Sequence, residues 1–340
     1  KDWTYAIHQE LNIRRRACTT FIPKDRTNNS HEEVRCGCKR FRREHSWDVQ
    51  DSDKTKWDPK KHTTAAENNA FRFLPNSAIH YVRCDLETPP SVLAELVYEV
   101  WKVKPPKLIM CIIGGAKYFK LNERLEREFI KGIIQAALKA GRSRFFEKIK
   151  FCFDSDEFLD GWLITPGFKT GVVQLVGEAI HDHRVTNPRS RITAIGCSKW
   201  GATRNREALI LVRIIKRGFI NSKCFLFVQK KSSTIQLNGK AKAEKGQQDL
   251  EPNHTHFLLL DDGTYYNYEL DDYRTRFVIE VSKYKNDNGL SAIKKKSFYF
   301  EILVPIVTIV VEGGPDTLSA IYKDLRNDIP VVLIDVRQCL

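Results

Sequence analysis

Four sets of residues in this 340-residue chain have the types and spacing to do chemistry. The first is a series of glycine turns. Val307-Thr308-Ile309-Val310-Val311 runs into Glu312-Gly313-Gly314-Pro315, and the apolar run 108–113 runs into Gly114-Gly115-Ala116. The run 162–165 ends in Pro166-Gly167, and 192–195 ends in Gly196. Glycine lets the backbone turn sharply and lets a ligand approach it closely. A helix that starts after such a turn presents free N–H groups to the loop, which is the geometry of a phosphate cradle. One Gly-Gly is only a tight turn; the repetition at strand ends is what describes a site. The second set is cationic: Lys169, Lys199, Arg204, Arg206, Arg274 and Arg276 fall near these loops. An arginine fork binds phosphate bidentately.

The third set is Cys36-Gly37-Cys38 with His45 behind it. These are zinc-type ligands. Cys-x-Cys is nevertheless tighter than the usual pair spacing and no second pair follows nearby, so no metal site is assigned. The fourth is His254-Thr255-His256, whose spacing at a strand start places both rings on one face. No third ligand stands nearby, so a structural or hydrogen-bonding role is expected. The chain has no G-x-G-x-x-G fingerprint, no G-x-x-x-x-G-K-[ST] loop and no G-x-S-x-G elbow. Standard dinucleotide, P-loop and serine-hydrolase chemistry are therefore disfavoured, and no catalytic residue is assigned.

The elements that must position these residues follow from hydrophobic period. Short β-branched and aliphatic runs predict strands at 78–82, 108–113, 162–165, 192–195, 256–260, 307–311 and 331–334. Apolar residues at helical spacing predict helices at 91–101, 122–140, 171–182, 205–216, 271–285 and 316–325. Strands alternating with helices give an α/β fold: a mostly parallel sheet with helices on both faces. Ligands of such sheets bind outside the carboxyl ends of the strands, where the glycine turns fall. Residues 1–77 are less regular, with a short helix expected within 3–21 and the polar segment 46–76 read as mobile surface. Residues 78–340 form the main domain, with insertions expected at 142–160, 218–250 and 290–301.

Hydrophobic content of 42% and charged content of 29% fit a folded soluble protein. The longest apolar run, 302–311, contains Pro305 and is half the ~20 residues that span a bilayer. No N-terminal signal peptide is visible, and the chain starts at Lys1, so it is read as a fragment or processed product. Nine scattered cysteines point to reduced thiols rather than a disulfide scaffold. Of the net charge of +14, much lies in 213–245, where nine Lys/Arg face the single acid Glu244. Two readings stand there: a solvated basic loop, or a surface for anionic lipid, nucleotide or an acidic partner. Aromatics are too few in it for a nucleic-acid platform, so no nucleic-acid partner is expected.

Several motifs occur together and in order. Trp3 and Ile7 precede Ala17-Cys18-Thr19-Thr20-Phe21-Ile22, then Cys36-Gly37-Cys38 and His45. Ile113-Gly114-Gly115-Ala116-Lys117-Tyr118-Phe119, Trp162-Leu163-Ile164-Thr165 and Thr170-Gly171-Val172 follow, then Trp200-Gly201 and Arg206-Glu207. The most specific is Pro252-Asn253-His254-Thr255-His256-Phe257 through Asp261-Asp262-Gly263-Thr264, then Arg274-Thr275-Arg276 and Glu312-Gly313-Gly314-Pro315. Across nearly its whole length the chain resembles the cytosolic N-terminal melastatin homology region of TRPM-type transient receptor potential channels.

That resemblance implies a Rossmann-like fold of the lysine-decarboxylase-like (SLOG) type. It also implies a place at the cytoplasmic face of a homotetrameric, calcium-transporting channel, expected in the plasma membrane. Its partners would be the rest of its own channel chain and neighbouring subunits. The implied ligand is ADP-ribose or a related nucleotide, with no cofactor. Carried over, the ligand site would comprise Gly114, Gly115, Ala116, Thr165, Gly167, Thr170, Gly171, Trp200, Gly201, Glu312, Gly313 and Gly314. Arg206 and Arg276 would be the phosphate contacts. The chain departs from the family at Thr165-Pro166-Gly167, where Thr-Gly-Gly is common; proline removes one N–H. Related folds include phosphoribohydrolases with a G-G-x-G-T-x-x-E loop, but Ala320 stands where the acid would be. The expected role is therefore regulatory binding, with a nucleotide-processing enzyme and a purely structural assembly domain as the alternatives.

Overall fold

Aliphatic runs bounded by glycine and proline build one sheet. The computed structural model describes residues 3–23, 34–42, 45, 49–52, 56–72, 79–115, 123–139, 161–188, 192–210, 213–220, 223–230, 246–265, 268, 270–283 and 304–334. In chain order the strands are β1 (Arg15–Cys18), β2 (Thr20–Phe21), β3 (Gln50–Asp51), β4 (Thr63–Ala66), β5 (Phe71–Arg72), β6 (His80–Asp85) and β7 (Leu108–Gly114). They continue with β8 (Gly161–Thr165), β9 (Thr193–Lys199), β10 (Arg213–Ile220), β11 (Lys223–Lys230), β12 (His256–Asp261), β13 (Ile306–Val311) and β14 (Val331–Ile334). The helices are α1 (Trp3–Tyr5), α2 (Pro59–His62), α3 (Pro90–Glu95), α4 (Glu123–Lys139), α5 (Gly171–Thr186), α6 (Tyr273–Lys283) and α7 (Pro315–Leu325). A wider π-type turn extends α1 over Ala6–Glu10 and α3 over Leu96–Val100. None of the described helices is long and apolar enough to cross a membrane.

The main sheet has eight strands in the order β14-β13-β7-β8-β9-β12-β6-β5. Every pairing is parallel except β5 with β6. Its inner strands are covered on both faces, and every residue of β8 and β12 is buried. That is why they read as continuous apolar runs rather than alternating ones. On one face Cys111, Ile164, Ile195, Leu258 and Val82 meet α3 and α6 in a single cluster. The opposite face is divided. Met110, Ile112 and Leu163 pack under α4 and α5, whereas Tyr81, Phe257 and Leu259 pack under loop residues Phe168, Trp200, Leu209 and Leu250.

The path of the chain reverses at β7 and β13. β7 leads through α4 to β8 on one side, and β13 leads through α7 to β14 on the other. α4 packs in the cluster with Ile112 and Leu163. α7 sends Asp324 toward Arg274 and Thr275 of α6. Right-handed crossovers running in opposite directions put their helices on opposite faces, so a crevice opens between the two strand ends.

Two expectations need correction. The helix expected at 205–216 is a short 3-10 turn, Arg206–Leu209, followed by β10. β10 and β11 form an antiparallel hairpin, Ile220 opposite Lys223. The run Ile214-Ile215 and the segment Phe225-Leu226-Phe227-Val228 have the composition of strands. The segment 46–76, expected as mobile surface, holds α2, β4 and β5, and Phe71 is buried in the main core cluster. The short helix expected within 3–21 is present at its start, over 3–10, and gives way to β1 and β2. The segments 142–160 and 290–301, read as insertions, lie outside the described residues.

Candidate functional site

At the β7/β13 crevice the backbone itself forms the walls. The Gly115 N–H donates to the Val311 carbonyl at 2.8 Å. Gly114 has φ +149°, and a Cβ there would lie 2.0 Å from the same oxygen. Only glycine permits this approach. The Gly115 carbonyl accepts from the Val172 N–H in the first turn of α5 at 3.3 Å, which joins the turn to that helix. Across the crevice Glu312 is half-buried with φ +55°, and Gly313 and Gly314 are exposed. The Gly314 N–H donates to Thr317 Oγ1 at 3.4 Å, so α7 starts directly from the turn. Ala116 lies outside the described residues.

The neighbouring turn, after β8, is held by a buried polar chain that sequence reading missed. Thr165 Oγ1 accepts from the Gly167 N–H at 2.9 Å and meets His254 Nε2 at 2.7 Å. His254 Nδ1 meets Glu251 Oε2 at 2.8 Å. All three side chains are essentially excluded from solvent. Glu251 also accepts from the Asn253 N–H, and its own N–H donates to the Gly167 carbonyl at 2.9 Å. Room for the carboxylate exists because residue 177 of α5 is glycine; a Cβ there would sit 2.0 Å from Glu251 Cδ. The Glu251-x-x-His254 spacing is visible in the sequence, but its partner Thr165 is 89 residues away in the chain. Pro166 is half-buried in this turn, its carbonyl accepting from Ser198 Oγ at 2.8 Å. Thr170 then occupies the N-cap position of α5, and among the described residues its hydroxyl makes no capping bond.

Trp200, Gly201 and Arg206 are placed elsewhere, at the β9/β12/β6 end of the sheet. Trp200 is 1% exposed and carries the Arg83 guanidinium 4.4 Å from its ring. A Cβ on Gly201 would collide with the Thr264 carbonyl at 1.9 Å. Arg206 is buried, lies 3.6 Å over the Tyr265 ring and donates to the Thr203 carbonyl. This region is bound by buried ion pairs. Arg83 Nε donates to Asp261 Oδ2 at 2.7 Å, and Lys199 Nζ meets Asp262 Oδ2 at 2.6 Å. Burial alone would raise the Asp262 carboxyl, but Lys199 and Thr264 hold it below the ordinary value. β1 lies across these ends: the Arg16 N–H donates to Asp261, and Arg16 Nε meets Asp85 at 2.7 Å.

The six cations separate on the same line. Lys169 stands exposed on the turn beside Thr170. Lys199 pairs with Asp262, Arg204 with Asp249, Arg274 with Asp324 and Arg276 with Asp272. Arg276 is exposed, and its contacts are Asp272 and Tyr273 of its own segment. Of the expected site residues, Gly114, Gly115, Glu312, Gly313 and Gly314 lie together at the β7 and β13 ends, Thr170 and Gly171 adjoin them through the Val172–Gly115 bond, and Thr165 and Gly167 lie in the next turn, after β8. His254 and His256 do not share surroundings, because the strand begins only at His256. His256 stacks against His80 and Trp101 at ring distances of 5.0 and 4.9 Å. Burial, with His80 adding to it, pushes the His256 imidazole down to about 3.

A doubly wound parallel sheet with glycine turns at its switch point defines a Rossmann-like α/β domain. The chain belongs to the family described as SLOG in TRPM, which matches residues 79–142 and 154–337. It is 30% identical over 339 residues to mouse transient receptor potential cation channel subfamily M member 2, covering 95% of this chain and 19% of that protein. It is 29% identical over 336 residues to the subfamily M member-like 2 channel of Nematostella vectensis, covering 95% and 18%. Against human subfamily M member 7 the figures are 26% over 354 residues, 96% and 16%. The chain therefore spans less than a fifth of the length of these relatives.

Proposed function

We propose that this chain is the nucleotide-sensing part of a cation channel and that the β7/β13 crevice binds ADP-ribose or a related nucleotide diphosphate. One observation carries the reading. The Gly114-Gly115 and Gly313-Gly314 turns face each other at the point where the strand order reverses, with the start of α5 hydrogen-bonded to the first. Backbone N–H groups and a helix N-terminus suit phosphate. The charge would come from exposed Lys169 and from Arg276, whose exposed pair with Asp272 is worth only about 0–1 kcal/mol and exchanges readily. Arg206 would act at a distance, by fixing the loop around Tyr265.

Binding would bias the channel by differential affinity for its states. The relatives are cation channels by name, which supports a place in a channel; a homotetramer whose gating the domain adjusts from the cytoplasmic side of the plasma membrane is part of the same proposal. A non-catalytic role is favoured because Ala320 offers no acid to a bound nucleotide.

Calorimetry with ADP-ribose, cyclic ADP-ribose and AMP tests this. Micromolar or tighter binding is expected for at least one. Gly314→Glu is the informative variant, because a side chain there meets nothing within 4 Å yet sets a negative charge in the turn. It should weaken binding about tenfold or more, the ~1.4 kcal/mol that one charge-assisted contact supplies. No heat with any ligand would leave an assembly domain as the reading. Steady release of free base from nucleoside monophosphates would make the protein an enzyme.

A further inference from the structure

The Cys36-Gly37-Cys38 pair gains in three dimensions what it lacked in sequence. Cys18, at the end of β1, and His45 close around it, and the four ligand atoms of Cys18, Cys36, Cys38 and His45 all lie within 4.8 Å of one another. A tetrahedral zinc with bonds of about 2.0–2.3 Å needs its ligand atoms about 3.5–4 Å apart. Cys38 Sγ and His45 Nε2 are already 3.2 Å apart. The three cysteines are buried and free.

The surroundings are those of a ligand set rather than of packed thiols. His45 Nδ1 donates to the Phe41 carbonyl at 2.8 Å. That bond fixes the ring with Nε2 turned toward the sulfurs, the usual support of a metal-binding histidine. Two N–H donors aim at sulfur: Trp57 Nε1 to Cys18 Sγ and the Ile22 N–H to Cys36 Sγ, both at 3.4 Å. Cys18 and Cys36 also lie 3.3 and 3.6 Å from the Thr20 carbonyl. Gly37 is required between the pair, since a Cβ would collide with Trp57 at 2.1 Å. Among the described residues the hydrophobic cluster here has five buried members, Cys18, Phe21, Cys36, Cys38 and Val49, and three of them are the thiols. Small units with few apolar core residues are commonly completed by a metal.

We propose that Cys18, Cys36, Cys38 and His45 form a structural zinc site that ties the N-terminal segment together. Three soft thiolates and one imidazole select zinc among divalent ions. Binding converts three thiols and a neutral imidazole into a closed four-coordinate site and releases about three protons per ion. The site also has a consequence for the sheet. Cys18 ends the strand that carries Arg16, and Arg16 closes on Asp85 and Asp261 at the ends of β6 and β12. Zinc thus anchors the strand that covers those ends.

The test is elemental analysis of the purified 340-residue chain, followed by cobalt substitution. About one zinc per chain is expected, and the cobalt form should show the intense d–d and thiolate charge-transfer bands of a tetrahedral site. Cys36→Ser with Cys38→Ser should abolish both. His45→Cys should retain the metal as a four-thiolate site while His45→Phe loses it, although phenylalanine better preserves the ring packing against Phe21. Proton release on zinc addition gives a reading independent of the variants. Less than a tenth of a zinc per chain with no cobalt spectrum would overturn the proposal. So would metal retention in the double serine variant.

Discussion

At β12 and β6 the strand ends carry Asp261 and Asp85; at β7 and β13 they run into Gly114-Gly115 and, through Glu312, Gly313-Gly314. The acidic ends are closed. Arg83, Arg16 and Lys199 neutralise Asp261, Asp85 and Asp262, Trp200 stacks under Arg83, and β1 lies across the top. Among the described residues the glycine ends meet through backbone bonds, and Gly313 and Gly314 are exposed. A sheet of this kind binds ligands outside the carboxyl ends of its strands, at the point where the strand order reverses. Here the N-terminal segment covers the β6 and β12 ends through Arg16, whereas Gly313 and Gly314 at the β13 end are exposed.

Four measurements would break or sharpen this contrast. The largest effect is expected at Asp261. Asp261→Ala leaves the Arg83 guanidinium buried without its carboxylate, and loss of one partner of a buried pair costs about 3–5 kcal/mol. Urea unfolding should register a lower midpoint; a change under 1 kcal/mol would mean that this end is not sealed by the ion pair. Next is Thr165→Val, which strands the Gly167 N–H and His254 Nε2 together and should cost about 1–3 kcal/mol. If stability were unchanged, the Glu251–His254–Thr165 chain would not be what holds the β8 turn.

The third is pH. His256 is held neutral in the fold, at about 3, whereas an unfolded histidine takes its proton near 6.5. Between these values the unfolded chain binds more protons, so stability falls as pH drops from about 6.5 toward 3. The slope from this group is at most about 1.4 kcal/mol per pH unit. His256→Gln should flatten that part of the profile, and an unaltered slope would remove His256 as its source. The smallest effect is on the stability of Gly314→Glu, expected within about 0.5 kcal/mol of the parent. A larger loss would show the open turn to be packed after all.

The same contrast separates what could be read from the sequence. β7, β8, β12, β13 and β14 lie at or within a residue or two of their hydrophobic runs; for β7, β8 and β12 the reason is that strands buried on both faces have no alternation to misread. The glycine turns were legible for a related reason: close approach of backbone demands a residue without Cβ, and that demand is local. Arg206 was not legible. Its type suits phosphate, but only the fold sets it against Tyr265 and Thr203. The helix expected at 205–216 failed because local period ignored the neighbouring aromatic and β-branched run with which β10 pairs.

By itself, then, the sequence determined the alternation of strands and helices, the parallel sheet and the glycine-terminated strands, since these follow from period and from backbone sterics over a few residues. Tertiary structure decided which strand ends are closed by ion pairs and that Glu251 and His254 serve Thr165. It also decided that Cys18 joins Cys36, Cys38 and His45. The physical reason is common to all three: each is a pairing of polar or soft side chains across long stretches of chain, which no local pattern encodes. Such groups find one another only when burial removes water as their partner.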